Sequence, residues 1–402
     1  MHWQILIALT LGVLAGVYAT QYVPYISWMG DLFLRLLKMV IIPLILSSII
    51  SGVAGVGNSA GIGRLGLKTL SFYIITSLLA IILGLFLVNM ITPGTGVDFS
   101  FAEKVESLPV ADQSLGQLLL SSIPENIFKS LTNGEMLPII LFSIVFGFFT
   151  NMVEEKYRKP VVNFFAAASE IIMKITMAVI KLTPYGVFAI MATVISKYAS
   201  DAASLQRLVS GMGLYMFCVL LALTIHTFVT LHGIMYFIGR INPFKHFRNM
   251  SVPLLTAFST SSSNATLPLS MAAVEEKDGV SNKIASFTLP LGATINMNGT
   301  ALYECVAVMF ISQAYGIDLS FAQQVTVVLT ALLAAIGSAG IPMAGLVMMT
   351  IVLSAVGLPL EGIGLILAVD RLLDMFRTTV NVYGDTCAAA VIAKSEGEKV
   401  NV

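Results

Sequence analysis

The chain reads as an all-α membrane protein, with eight transmembrane helices and two re-entrant helical hairpins arranged as inverted repeats. Three observations predict it. Of 402 residues, 57% are hydrophobic and only 11% charged, against roughly 25% charged in soluble domains, and mean hydropathy is +0.89. Eight apolar runs are each long enough for a span of about 20 residues. Two further apolar stretches are interrupted in the middle, which a spanning helix does not tolerate without a reason.

The eight runs cover residues 3–21, 31–56, 67–92, 134–152, 160–197, 206–239, 283–316 and 360–392. The first is followed by more of the same, so it reads as the first spanning helix rather than a cleavable signal peptide. Several runs are long enough to require tilt. With the amino terminus in the cytoplasm, the inside loops carry Arg64 and Lys68, then Lys156, Arg158 and Lys159, then Arg240, Lys245 and Arg248. The outside connection 93–118 carries Asp98, Glu103, Glu106 and Asp112 against Lys104. This asymmetry places both termini in the cytoplasm of a multi-pass plasma (inner) membrane protein.

Residues 244–278 read SVPLLTAFS, then TSSSNAT, then LPLSMAAVEE, and residues 320–358 read VTVVLTALLAA, then IGSAGIPMAG, then LVMMTIVLSAVG. Each arm is too short to cross a hydrocarbon core of about 30 Å. The breaks are rich in Ser, Gly and Pro, and unpaired backbone survives at membrane depth only against protein or a wet cavity. Both stretches are therefore predicted to be hairpins whose tips meet near mid-membrane. Each is followed by a long helix with a polar break or stripe: 283–316, holding Asn296-Met297-Asn298-Gly299-Thr300, and then 360–392. That order occurs twice, the sequence signature of an inverted-repeat transporter with a midplane site.

The last run is the most informative. Asp370, Asp374, Arg377, Asn381 and Asp385 are spaced by 4, 3, 4 and 4 residues, which keeps them within about 80° of helical arc. Each charge facing lipid at the bilayer centre costs on the order of 3 kcal/mol, so four cost roughly 10 kcal/mol. The stripe must face protein, water, ions or a ligand.

Other classes fit poorly. The zero net charge leaves no basic footprint for nucleic acid. Cys218, Cys305 and Cys387 lie scattered in apolar segments without a CxxC, as small buried residues do. Ser261–Ser263 lie in no GxSxG elbow and none of the four histidines sits in an HExxH pattern, so the chain is not read as an enzyme; His226 and His232 read as packed residues. TVNVYGD (379–385) has the look of a potassium-channel filter, but a filter needs uninterrupted carbonyls, and Asn381 and Arg377 argue against it.

The motifs TSSSNATLP (260–268), SFTLPLGATINMNGTALYE (286–304), AGIPMAG (339–345) and DRLLDMFRTTVNVYGD (370–385) resemble the dicarboxylate/amino acid:cation symporter family, which includes the glutamate and aspartate transporters. FLRLLKMVIIPLI (33–45) and GEMLPIILFSIVFG (134–147) extend the match into the front half. The resemblance implies a homotrimeric elevator-type transporter, a fold counted among inverted-repeat transporters in general. It assigns 1–66 and 93–205 to a trimerising scaffold, and 67–92 and 206–402 to a mobile transport domain. It further implies uptake of glutamate or aspartate coupled to sodium, with protons as a second candidate driving ion and no organic cofactor.

Under the same resemblance, Arg377 pairs its planar fork with the substrate's side-chain carboxylate. Asp374 takes the α-ammonium, while Thr378 and Asn381 bind the α-amino and α-carboxylate groups. Thr300, Ser262, Ser263 and the backbone from Ile341 to Gly345 complete the pocket. One sodium site uses Asp385, Asn381, Asn296 and the Gly292 carbonyl. A second uses the carbonyl of Thr294 with Ala335, Ile336 and Ser338. A third uses Tyr73, Thr76 and Ser77 with Asn296 and Asn298.

The sequence departs from the family pattern in places. The usual NMDGT reads NMNGT here, so the third cation site has Asn298 where a carboxylate is expected. The arginine that some members carry at the position of Ser261 or Met375 is absent, and Met343 replaces a tip glycine. Glu304 matches an acid of animal glutamate transporters linked to proton and potassium coupling, and is the candidate proton carrier. Asn298 and Glu304 favour an alternative: a proton-coupled carrier of glutamate, aspartate or C4-dicarboxylates with the same fold. Asp385 and the Tyr73, Thr76, Ser77 cluster favour sodium, and Asp374 favours a substrate bearing an ammonium group.

Overall fold

Backbone polar groups that cannot reach water must be satisfied within the chain, and every regular element among the described residues is helical. The structure, a computed structural model, describes residues 2–55, 63–97, 120, 123–198, 202–336 and 344–402. The helices are α1 (His2–Tyr18), α2 (Val23–Gly55), α3 (Gly63–Ile91), α4 (Ile127–Asn133), α5 (Met136–Thr150), α6 (Glu155–Ile180), α7 (Thr183–Tyr198) and α8 (Ala202–Ile225). They continue with α9 (Pro243–Asn249), α10 (Ser251–Thr260), α11 (Ser263–Glu276), α12 (Asn282–Ile295), α13 (Asn298–Ala314), α14 (Phe321–Ile336), α15 (Ala344–Ala355) and α16 (Ile363–Ser395). Beyond Ile225 the chain continues as π-helical turns over His226–Leu231 and Ile234–Gly239.

Three stretches among the described residues are by themselves long and apolar enough to cross a bilayer: Arg64–Ile91, Glu155–Val179 and Gln206–Gly239. A fourth candidate is the pair Ile7–Tyr18 and Thr20–Leu36, bent by 105°. The other apolar runs are broken or charged. The run 160–197 is not one helix: it divides at Lys181–Leu182, because Pro184 has no N–H to continue the ladder of α6 and sits instead in the first turn of α7. The run 283–316 divides at Asn296–Met297. The final run is one helix, α16, but it holds five charged residues between Asp370 and Asp385.

The stretch 244–278 folds as the expected hairpin. Asn242 accepts from the Lys245 amide to cap α9, with Pro243 in its first turn. The tip is tighter than the predicted TSSSNAT break, only Ser261 and Ser262 standing between α10 and α11. Ser261 closes α10 in the left-handed conformation (φ 51°), and Ser262 caps α11 by accepting from the Ala265 amide at 3.3 Å. In the second hairpin α14 and α15 pack together. The predicted tip there, with Ser338, Ile341 and Met343, lies outside the described residues.

α1 packs on α7, and α2 packs against α5, α6 and α7. A second set surrounds α13, which touches α3, α8, α14, α15 and α16 and is buried without interruption from Asn298 to Ser312. α16 lies against α10, α11, α12 and α13. It runs from one apolar core, through Leu373 and Val380, to a second, through Val382, Tyr383 and Cys387. Its charged stripe thus falls within the packed interior. The two sets meet where α15 touches α2 and α5, and where α16 touches α7. Cys218, Cys305 and Cys387 are free and buried.

Candidate substrate- and cation-binding site

Asp370, Asp374, Arg377, Asn381 and Asp385 are each no more than 4% exposed. An unpaired buried charge is costly, so each must be matched. Arg377 Nε donates to Asp374 Oδ1 at 3.0 Å. Its terminal nitrogens lie 3.1 Å from Asp370 Oδ1 and 2.9 Å from Asp374 Oδ1. Neither is aligned as a hydrogen bond, and both remain without a hydrogen-bond partner. The guanidinium rests on the Tyr303 ring, 4.1 Å from its centroid, a cation–π contact strengthened by burial. The Tyr303 hydroxyl donates to Asp370 Oδ1 at 2.6 Å. Arg371 reaches Asp374 Oδ2 at 3.2 Å.

Two glycines lie close to Arg377, one against its guanidinium and one against its backbone. A Cβ placed on Gly345, in α15, would stand 3.0 Å from Arg377 Cζ, and one on Gly299, in α13, would stand 2.6 Å from the Arg377 carbonyl oxygen. The approach at Gly299, against backbone, requires a residue without a side chain. Asn381, one turn beyond Arg377, stabilises the break ahead of α13. Its Oδ1 accepts from the Gly299 amide at 2.7 Å and its Nδ2 donates to Thr300 Oγ1 at 3.0 Å. The Gly299 amide is one of the donors a helix start leaves unpaired. Thr378 is buried beside these groups and Ser263 is buried at the first tip.

Asp385 accepts from Asn296 Nδ2 at 2.8 Å. Gly292 lies against it, since a Cβ there would come within 2.7 Å of both Asp385 Cγ and the Tyr73 hydroxyl. Tyr73 donates to the Thr288 carbonyl at 2.8 Å. Ser77 donates to Asn298 Oδ1 at 2.6 Å, and Thr76 approaches the same oxygen at 3.5 Å. Asn296 Oδ1 is buried without a partner. These hard oxygens from α3, the α12–α13 break and α16 form a donor set suited to a small cation.

The structure therefore brings together Arg377, Asp374, Asn381, Thr300 and Gly345, and separately Tyr73, Thr76, Ser77, Gly292, Asn296, Asn298 and Asp385. The second sodium set is described only in part. Ala335 is buried at the end of α14 and Ile336 is half-buried. The Thr294 hydroxyl donates to its own helix at Leu291 O, 2.9 Å away. Glu304 is wholly buried and neither carboxyl oxygen has a hydrogen-bond partner. Sequence reading gave no role to Tyr303 or to the pairing of Asp370 with Arg377. The seven-residue spacing, two helical turns, was the available signal.

The family model described as "Sodium:dicarboxylate symporter family" matches residues 1–395. The chain is 38% identical to a "Proton/sodium-glutamate symport protein" of Geobacillus stearothermophilus, over 99% of this chain and 95% of that protein. It is 36% identical to the "Proton/glutamate-aspartate symporter" of Escherichia coli (strain K12), over 98% of this chain and 93% of that protein. It is 37% identical to "Excitatory amino acid transporter 3" of Mus musculus, over 100% of this chain and 87% of that protein.

Proposed function

The chain belongs to the sodium:dicarboxylate symporter family, a family of secondary transporters and not of enzymes, and from that premise we propose that it takes up glutamate and aspartate with sodium and protons as driving cations. The observation that carries this reading is the Arg377 fork: buried, stacked on Tyr303, ion-paired with Asp370 and Asp374, and with no aligned hydrogen bond on either terminal nitrogen. A planar guanidinium in that state is suited to a bidentate carboxylate, while Asp374 beside it supplies the counter-charge an ammonium group needs. The oxygen set around Asp385 and Asn298 supports sodium as a coupling ion.

A proton-coupled carrier of glutamate, aspartate or C4-dicarboxylates is the second reading. The unbonded Glu304 carboxyl favours a proton, and Asn298 offers no formal charge to a cation. We further propose an architecture of eight spans, two hairpins and a homotrimer in the plasma membrane, with both termini cytoplasmic. The scaffold comprises 1–66 and 93–205, and the elevator-type transport domain comprises 67–92 and 206–402. Supporting this division, α1, α2, α5, α6 and α7 pack chiefly with one another, while the site draws on α3, α13, α15 and α16. Purified protein in liposomes, given labelled aspartate under separate sodium, proton and potassium gradients, tests the coupling. Accumulation driven by sodium supports the first reading, by protons alone the second, and by neither overturns both.

A further inference from the structure

The end of the candidate span Gln206–Gly239 carries a feature outside the substrate and cation sites described above. Where α8 passes into its two π-helical stretches, a groove of about 840 Å³ opens, lined by Phe228, His232, Tyr236, Phe237, Arg240 and Phe244 among others. Its size and make-up, aromatic walls with a few convergent polar groups, are those of a ligand site, and π-helical turns recur at such sites.

Four observations bear on the occupant. Val229, Tyr236, Phe237 and Phe244 are all more than 60% exposed, an apolar surface suited to hydrocarbon. The described lining contains no carboxylate. Arg240 terminates the helical run in the left-handed conformation (φ 51°), where a non-glycine residue carries a conformational cost of about 1–2 kcal/mol. It is exposed and forms no ion pair or side-chain hydrogen bond among the described residues. Finally, His232 backs the groove as part of its aromatic wall, flanked edge-on by Phe228, Phe244 and Tyr383, with both ring nitrogens closed off from solvent and without a hydrogen-bond partner. A buried imidazole left so costs about 1–3 kcal/mol. Cation and aromatic wall converge at one end of a candidate membrane span, and the helix that follows carries the exposed bases Lys245 and Arg248.

We propose that this groove binds an anionic phospholipid, its phosphate held by Arg240 and its acyl chains laid along Tyr236 and Phe237. The inference rests on the membrane placement of α8 and not on the substrate assignment.

Full-length protein carrying Phe237→Trp, reconstituted in nanodiscs, gives a reporter within the groove; signal from Trp3 and Trp28 is removed by comparison with the unsubstituted protein. Quenching is followed as brominated phosphatidylglycerol or brominated phosphatidylcholine is added. Phosphatidylglycerol is expected to half-quench at about fivefold lower mole fraction, what one arginine contributes to an anionic headgroup. Arg240→Gln abolishes that preference, Arg240→Lys keeps most of it, and inorganic phosphate does not relieve the quenching. Equal response to both lipids, a preference that survives Arg240→Gln, or displacement by inorganic phosphate would overturn the proposal. Should Phe237→Trp fail to fold, native mass spectrometry of the unsubstituted and Arg240→Gln proteins decides it, by whether phosphatidylglycerol is retained on the first and lost from the second. Because no uptake is measured, failure here is separable from failure of the transport reading.

Discussion

Asn298 accepts a hydrogen bond from Ser77 across 2.6 Å, joining the start of α13 to α3 at a point where the family pattern has a carboxylate. The amide oxygen accepts from the hydroxyl without carrying charge, so it can offer a cation an oxygen ligand but no formal negative charge.

Asn298→Asp restores that charge. Ligand charge tunes cation affinity, and the half-saturating sodium concentration for uptake is expected to fall about tenfold, equivalent to ~1.4 kcal/mol. Sodium titration of aspartate uptake in liposomes checks it; an unchanged value removes this position from any cation site.

Asp385→Asn acts in the opposite direction. The substituted amide keeps an oxygen for Asn296 but loses the negative charge that faces Gly292 and Tyr73. Half-saturating sodium should rise at least about tenfold while substrate binding at saturating sodium is retained.

Arg377→Cys removes the fork, taking from Asp370 its ion-pair partner and leaving Asp374 paired with Arg371. Uptake of glutamate and aspartate is expected to vanish, with uptake of a neutral amino acid such as serine retained or gained. Competition with unlabelled serine, aspartate and glutamate separates the two, and undiminished acidic uptake would refute the assignment.

Tyr303→Phe keeps the ring under the guanidinium and deletes the donor to Asp370. Loss of a hydrogen bond to a buried carboxylate destabilises by about 1.5–3 kcal/mol, which thermal unfolding in detergent reads as a lowered midpoint. The KM for aspartate rises with it, because Asp370 no longer steadies Arg377. A lowered midpoint with unchanged KM would mean that Tyr303 supports packing alone.

Glu304→Gln preserves shape and removes the one carboxyl group of α13. Aspartate uptake is expected to persist while substrate-driven acidification of the liposome lumen disappears. Intact pH changes would discard Glu304 as proton carrier.

Much of this was legible in the chain. The spacing from Asp370 to Asp385 required an inward stripe, and all five members are buried. The Ser-rich break in 244–278 and the Asn296–Met297 interruption are both present, because backbone left unpaired there has partners: Ser262 for α11 and Asn381 for α13. What escaped was set by tertiary contact. Nothing local places Tyr303 under Arg377 from another helix, and the break at Lys181 reflects one proline within a run whose hydropathy is continuous. The π-helical end of α8 likewise has no compositional signature, since its mix of apolar residues with scattered His and Thr suits an α-helix equally well.

The burial of α16 has a bearing on how the protein is made. A segment with Asp370, Arg371, Asp374, Arg377 and Asp385 would not partition from the translocon into lipid by itself, each such residue opposing it by about 2.5–3.5 kcal/mol at mid-bilayer. It can be accommodated only when α10 to α13 are already in place to receive it. Biogenesis must then end with a docking event rather than a simple insertion, and nascent chains with a defective first hairpin should expel their last helix to the aqueous side.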